Sequence, residues 1–184
     1  ELFCLGTEFK KSVEMRCNFW IQLIEEVRKV YHGKLTYSAI WDNYSNIGFW
    51  DQLDFIGISA YFPLSTDLTP SAKDLVWAWQ PIKMALKDFS NVHDKQILFT
   101  EFGYLSVDGC ASATWKLEDK IHALQVNEAA QANAINAILQ CFSSEAFWAG
   151  GFLWKWFPNG QGQEGYFEKD YTPQVKLAEK ILKY

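Results

Sequence analysis

The stretch Gln96-Ile97-Leu98-Phe99-Thr100-Glu101-Phe102-Gly103 decides the fold. It is a short apolar run without clean polar alternation, closed by a carboxylate, and reads as a strand buried on both faces. The Ala-, Asn- and Gln-rich segment from Gln125 to Phe142 that follows is predicted to be a helix. Four further runs share the strand pattern: Leu2–Gly6, Leu35–Trp41, Phe55–Phe62 and Ala149–Phe157. Helical spacings separate most of them. Ser12 is the expected N-cap of a helix carrying Val13, Cys17, Trp20, Ile24, Val27 and Tyr31, with Gly33 as its stop. Pro81 suits the first turn of a helix with Ile82, Leu86 and Phe89. Thr172-Pro173 opens the last helix, with Val175, Ala178 and Leu182 as its apolar stripe. Only the connection from Asp42 to Asp54 is too short for a long helix.

Strand alternating with helix implies parallel strands joined by right-handed crossovers. Two α/β architectures fit: a small doubly wound sheet of five strands, or part of a (β/α)8 TIM barrel. The 184 residues give about 37 per β/α unit, and eight such units need about 295, near the size of a barrel. On the second reading the chain covers roughly the last five-eighths of the barrel. Length alone suggests one domain over residues 1–184. The start at Glu1, with Leu2-Phe3-Cys4-Leu5 already reading as a strand, looks like a segment cut from a longer precursor.

Composition narrows the function. Apolar residues make up 49% and charged residues 21%, values of a folded globular protein. The net charge of −5 and the lack of any basic cluster argue against a nucleic-acid or anionic-membrane partner. No apolar run approaches the ~20 residues that span a bilayer. The four scattered cysteines form no CxxC pair, so free buried thiols are the commoner expectation and disulfides the alternative. Nine Trp, eight Tyr and 14 Phe are an excess that suggests flat platforms in a sugar-binding cleft, or else a bulky core.

Several motifs fail in context. The GxGxxG match at Gly160–Gly165 lies too close to the C-terminus to open a dinucleotide-binding unit, and reads as a flexible loop. There is no Walker loop and no GxSxG elbow, and no histidine lies beside a nucleophile or a second metal ligand. Asn43-Tyr44-Ser45 is a glycosylation tripeptide of the kind expected by chance.

Two carboxylates remain. Glu8 in Gly6-Thr7-Glu8-Phe9 and Glu101 in Phe99-Thr100-Glu101-Phe102 each follow an apolar strand in the same Thr-Glu-Phe tripeptide. A carboxylate there is costly to desolvate unless it faces a cleft or a partner, and strand carboxyl ends are where parallel α/β folds gather chemistry. They are candidates for paired-carboxylate glycoside hydrolysis, or else structural ion-pair partners. The chemistry needs one carboxyl kept protonated to donate to the leaving oxygen and the other kept ionised to attack the anomeric carbon. Tyr61, at the end of the third run, is a natural donor to the nucleophile. Trp154 and Trp156 share a strand face by period-two alternation, while Lys155 points to the opposite face and reads as structural. Trp41 ends the second run, and Trp115 lies in the loop after Glu101.

These blocks resemble glycoside hydrolase family 113. The likeness rests on Leu5–Glu8, Phe49–Leu64, Phe99–Tyr104, Gly150–Trp156 and Tyr171–Gln174, in that order along the chain. It implies a retaining (β/α)8-barrel glycosidase, from a family known for β-1,4-mannanases, with a polysaccharide or oligosaccharide substrate and no metal or cofactor. The first run becomes the fourth barrel strand, the rest strands five to eight, and the first three strands fall outside this chain. Glu8 becomes the general acid/base and Glu101 the nucleophile, with carboxyls about 5–5.5 Å apart. Tyr61 orients the nucleophile, Trp154 floors the subsite of the cleaved sugar, and Trp156, Trp41 and Trp115 are substrate-binding candidates. Thr7 stands where many clan relatives carry Asn, and Ser59 and Ile40 stand where Asp and Asn are common. The alternative is a barrel fragment that binds carbohydrate without cleaving it. Compartment is not set by the sequence; degradation of a polymer slightly favours a secreted or periplasmic location.

Overall fold

A computed structural model describes residues 1–158 and 165–183. The elements in chain order are β1 (Leu2–Thr7), α1 (Lys10–Met15), α2 (Cys17–Val30), β2 (Lys34–Ile40), β3 (Ile56–Ser59), α3 (Ala72–His93), β4 (Ile97–Phe102), α4 (Thr114–Glu118), α5 (Glu128–Phe142), β5 (Trp148–Leu153) and α6 (Leu177–Leu182). The strands form one sheet in the order β1-β2-β3-β4-β5. A doubly wound sheet reverses its strand order at a switch point, whereas a barrel keeps sequence order, so the barrel reading holds.

The residues pack as two compact units. The first comprises Glu1–Ala60, Ala85–Thr100 and Ala146–Gly151, and the second Tyr61–Met84, Glu101–Glu145 and Phe152–Tyr184. In the first, β1 pairs parallel to β2 with Leu2 opposite Lys34 and Thr7 opposite Ser38, a register shift falling between Cys4 and Thr7. Strand β2 pairs parallel to β3 with Ser38 opposite Gly57. A Cβ at Gly57 would stand 2.2 Å from the Tyr37 carbonyl oxygen, so only glycine allows this approach. On one face Ser38 Oγ lies 3.0 Å from Ser59 Oγ and 2.6 Å from Thr100 Oγ1, so buried hydroxyls satisfy one another. On the other face Tyr37 meets Trp20 and Phe49 edge-on, and Trp20 stacks on Phe49 at 5.7 Å. The Tyr37 hydroxyl accepts from the Phe9 N–H at 2.7 Å, and burial pushes that phenol up to about 12.

Burial on both faces describes β2 and β3 but not β1 or β5, whose side chains are largely half-buried or exposed. Among the described residues these are the outer strands of the sheet, each with a neighbour on one side.

All four predicted helices differ at their boundaries from the sequence expectation. The first helix breaks at Arg16, whose φ of −133° is not helical. Ser12 lies inside α1 and accepts from Trp20 Nε1 at 3.1 Å rather than capping. Helix α3 starts nine residues before Pro81 and carries that proline inside. Ser71 and Asp74 hydrogen-bond each other at the start of α3, Asp74 N–H to Ser71 Oγ at 3.2 Å and Ser71 Oγ to Asp74 Oδ2 at 2.5 Å. Helix α5 begins at Glu128, with Asn127 Oδ1 accepting from the Ala130 N–H at 2.9 Å. Thr172-Pro173 opens a loop instead of a helix: Asp170 Oδ1 accepts from the Thr172 N–H at 2.8 Å, and α6 starts at Leu177. Val175 has φ 63° and is exposed, outside any apolar stripe.

The aromatic excess divides. Trp20, Trp50 and Trp79 are buried core, while Trp77, Trp115, Trp154 and Trp156 are exposed. All four cysteines are free thiols, with Cys110 and Cys141 buried. Asn43 is buried and accepts from Asn46 Nδ2 at 2.8 Å, a structural role for that tripeptide. Residues 160–164 of the GxGxxG match lie outside the described residues. No helix among the described residues is long and apolar enough to cross a membrane.

Candidate active site

The second unit brings two of the expected residues into contact. Glu101 is the penultimate residue of β4, and Tyr61 follows β3 by two positions. Tyr61 Oη donates to Glu101 Oε2 at 3.2 Å. A phenol donating to a carboxylate favours its ionised form, the state a nucleophile needs.

Trp154 is fixed to the same strand end through its backbone. Its N–H donates to the Phe102 carbonyl at 2.8 Å. A Cβ on Gly103 would stand 2.0 Å from the Trp154 carbonyl oxygen, so the chain after β5 lies directly on the residue that follows Phe102. Trp154 remains 41% exposed and Trp156 50% exposed, residues whose flat apolar rings are of the kind that stack on sugars. Period-two alternation does not relate them, because β5 ends at Leu153 and residues 154–157 are not strand. Lys155 between them is buried, its ammonium 4.9 Å from the Trp154 ring centroid and 5.5 Å from that of Phe157. Trp115 stands on α4, 44% exposed.

In the first unit, Glu8 directly follows β1 and Trp41 directly follows β2. The Glu8 side chain is exposed, and its N–H donates to the Ser38 carbonyl at 2.9 Å. Its φ of 61° is a left-handed conformation that a non-glycine residue adopts at a cost, and such residues cluster at functional sites.

Sequence reasoning gave no role to two residues of the second unit. Tyr171 meets Tyr61 edge-on at 6.2 Å, and its hydroxyl donates a short hydrogen bond to Glu118 Oε1. Burial, then the Glu118 carboxylate and the nearby Tyr61 and Glu101, raise the Tyr171 phenol far above its ordinary value. Glu118 and Tyr171 lie 53 residues apart, so no local spacing links them. Among the described residues no group of three or more His, Cys, Asp or Glu is arranged to hold a metal ion.

Strands in sequence order with helices between them, and with acidic and aromatic residues placed at their carboxyl ends, define the class. This is a (β/α)8 barrel, of which the chain carries about strands four to eight. The family model of Glycoside Hydrolase Family 113 matches residues 1–176, and the chain belongs to that family. It is similar to the GH113 β-mannanase of Alicyclobacillus acidocaldarius solved in complex with ManMIm. That likeness has 26% identity and a TM-score of 0.79, over 99% of this chain and 53% of the other. A complex structure of a GH113 β-1,4-mannanase is 28% identical, with a TM-score of 0.80, over 100% of this chain and 54% of the other. The chain thus spans about half the length of these structures. A β-D-glucuronidase of Dictyoglomus thermophilum, at 18% identity and a TM-score of 0.61 over 83% of this chain and 24% of its own, shares the fold. A comparison with curated proteins finds no match.

Proposed function

We propose that the protein is a retaining glycoside hydrolase that cleaves β-1,4-linked polysaccharide, β-mannan first among candidates, by a two-glutamate double displacement. The observation that carries this is the Tyr61 hydroxyl 3.2 Å from Glu101, on the penultimate residue of a buried barrel strand. Family membership and the β-mannanase titles of the two similar GH113 structures support the substrate class.

In the first step the Glu101 carboxylate attacks the anomeric carbon as the glycosidic C–O bond breaks, and the Glu8 carboxyl gives its proton to the departing oxygen. The Glu8 carboxylate then takes a proton from water, whose oxygen attacks the anomeric carbon and releases Glu101 as a carboxylate. Tyr61 donates to one oxygen of Glu101 and so favours its carboxylate form. Trp154 offers an apolar floor for the sugar ring, and Trp156, Trp41 and Trp115 extend the binding surface. The protein that carries this chain should release reducing sugar from mannan. Glu101→Ala and Glu8→Ala should each lower turnover by orders of magnitude without loss of the fold. Binding of manno-oligosaccharides with no reducing-end release would instead mark a carbohydrate-binding barrel without catalysis.

A further inference from the structure

A chain of side chains stands behind the Tyr61–Glu101 hydrogen bond. Tyr61 contributes one hydroxyl hydrogen bond to Glu101, and its ring has an aromatic neighbour. That neighbour is Tyr171, 7% exposed, with ring planes crossed at 67°. Tyr171 also packs toward the strand end, its Cδ1 3.4 Å from where a Cβ on Gly103 would lie. Its hydroxyl is committed to Glu118 on α4 and so does not compete with Tyr61 for Glu101.

The segment that carries Tyr171 is pinned on several sides. Gln131 Nε2 donates to the Tyr171 carbonyl at 3.1 Å, and Ser106 Oγ donates to the Glu168 carbonyl at 2.8 Å. Lys169 Nζ reaches the carbonyls of Ile121 at 3.3 Å and His122 at 3.1 Å, so the turn after α4 is tied to the same segment twice. A buried tyrosine whose hydroxyl has one carboxylate partner keeps a single rotamer.

We propose that Tyr171, anchored by Glu118, is a positioning residue for Glu101 that acts through the ring of Tyr61. This rests on the function proposed above. The pair acts on the donor: it sets the angle from which Tyr61 donates. Sub-ångström displacement of a group that orients a nucleophile is enough to cost turnover.

The test uses Tyr171→Phe, which keeps the ring and removes the anchor. Glu118→Ala removes the same anchor from an exposed position, and Glu118→Gln retains an acceptor. On manno-oligosaccharide, Tyr171→Phe and Glu118→Ala should each lower kcat about 10-fold while KM moves less than about 3-fold. The acid limb of their pH–rate profiles should move to higher pH, because a misaligned Tyr61 favours the ionised nucleophile less. Glu118→Gln should stay within about 3-fold of the parent kcat. A parent-like kcat and pH profile in Tyr171→Phe overturns the proposal. So does a loss that follows only a lowered melting temperature, with the pH profile unmoved. Full turnover by Glu101→Ala would overturn the reading of the site itself, an outcome separate from these.

Discussion

Gly103 and Trp154 are in backbone contact: the Trp154 carbonyl oxygen occupies a point 2.0 Å from where any Cβ at position 103 would be. The glycine therefore sets how closely the chain after β5 approaches the end of β4, where Glu101 sits. Gly103→Ala should cost about 3 kcal/mol of stability in denaturant unfolding, as forced overpacking does. The same substitution should lower turnover on mannan more than the stability loss explains, since it pushes Trp154 away from the Glu101 strand. A fully stable and fully active alanine variant would show that the two backbones separate freely.

Tyr61→Phe removes the only hydroxyl in its side chain while preserving ring packing on Tyr171. Loss of one aligned donor to a reacting group typically costs on the order of 10²-fold in kcat, and that is the loss expected here. KM should change little. Because the lost donor favoured the ionised carboxylate, the acid limb of the rate profile should shift to higher pH. An unmoved profile with normal kcat would leave the tyrosine with packing alone.

The Tyr61–Glu101 contact was legible because burial makes charge conspicuous, whereas Glu8 stands exposed after a strand that is not buried. Glu101 closes an apolar run that has no other reason to end in a carboxylate, and Glu8 repeats the tripeptide. Other features had no local signature. Val175 adopts φ 63°, a conformation that valine does not advertise. Pro81 reads as a helix start, yet α3 passes through it, because Leu75, Trp79 and Leu86 bury one side of the helix and offset the lost hydrogen bond. The signal for the true start was present in Ser71-x-x-Asp74. Alternation at Trp154 and Trp156 presumed a strand that stops at Leu153. Glu118 and Tyr171 meet only through tertiary packing, which no spacing rule anticipates.

Asp54 gives the first unit a pH-dependent contact. Burial opposes its charge, but hydrogen bonds from Arg28 at 2.7 Å, the Leu35 N–H at 2.8 Å and Lys34 at 3.0 Å outweigh it, lowering the carboxyl from 3.8 to about 2. A folded value below the unfolded one means the stabilisation is complete above about pH 4 and lost as pH falls toward 2. With partial exposure discounted, Asp54→Asn should cost about 1–2 kcal/mol at pH 7 and almost nothing near pH 2. Urea unfolding across that range reads the difference. Equal cost at both pH values would assign the loss to packing.

The thiols should react in the order of their exposure. Cys4 is exposed, whereas burial pushes the Cys110 thiol up to about 12 and raises Cys141 as well. Iodoacetamide on the folded protein should label Cys4 first, and Cys110 and Cys141 only after unfolding. Rapid labelling of Cys110 in the native state would contradict the packing around it.

In the proposed mechanism Glu101 forms the bond to sugar. A 2-deoxy-2-fluoro-β-mannosyl fluoride, whose glycosyl-enzyme turns over slowly, should inactivate the protein. Peptide mass mapping should then place one fluorosugar on Glu101, and none on the Glu101→Ala variant. A label on any other carboxylate, or hydrolysis of mannan with inversion and no trapped adduct, would contradict it.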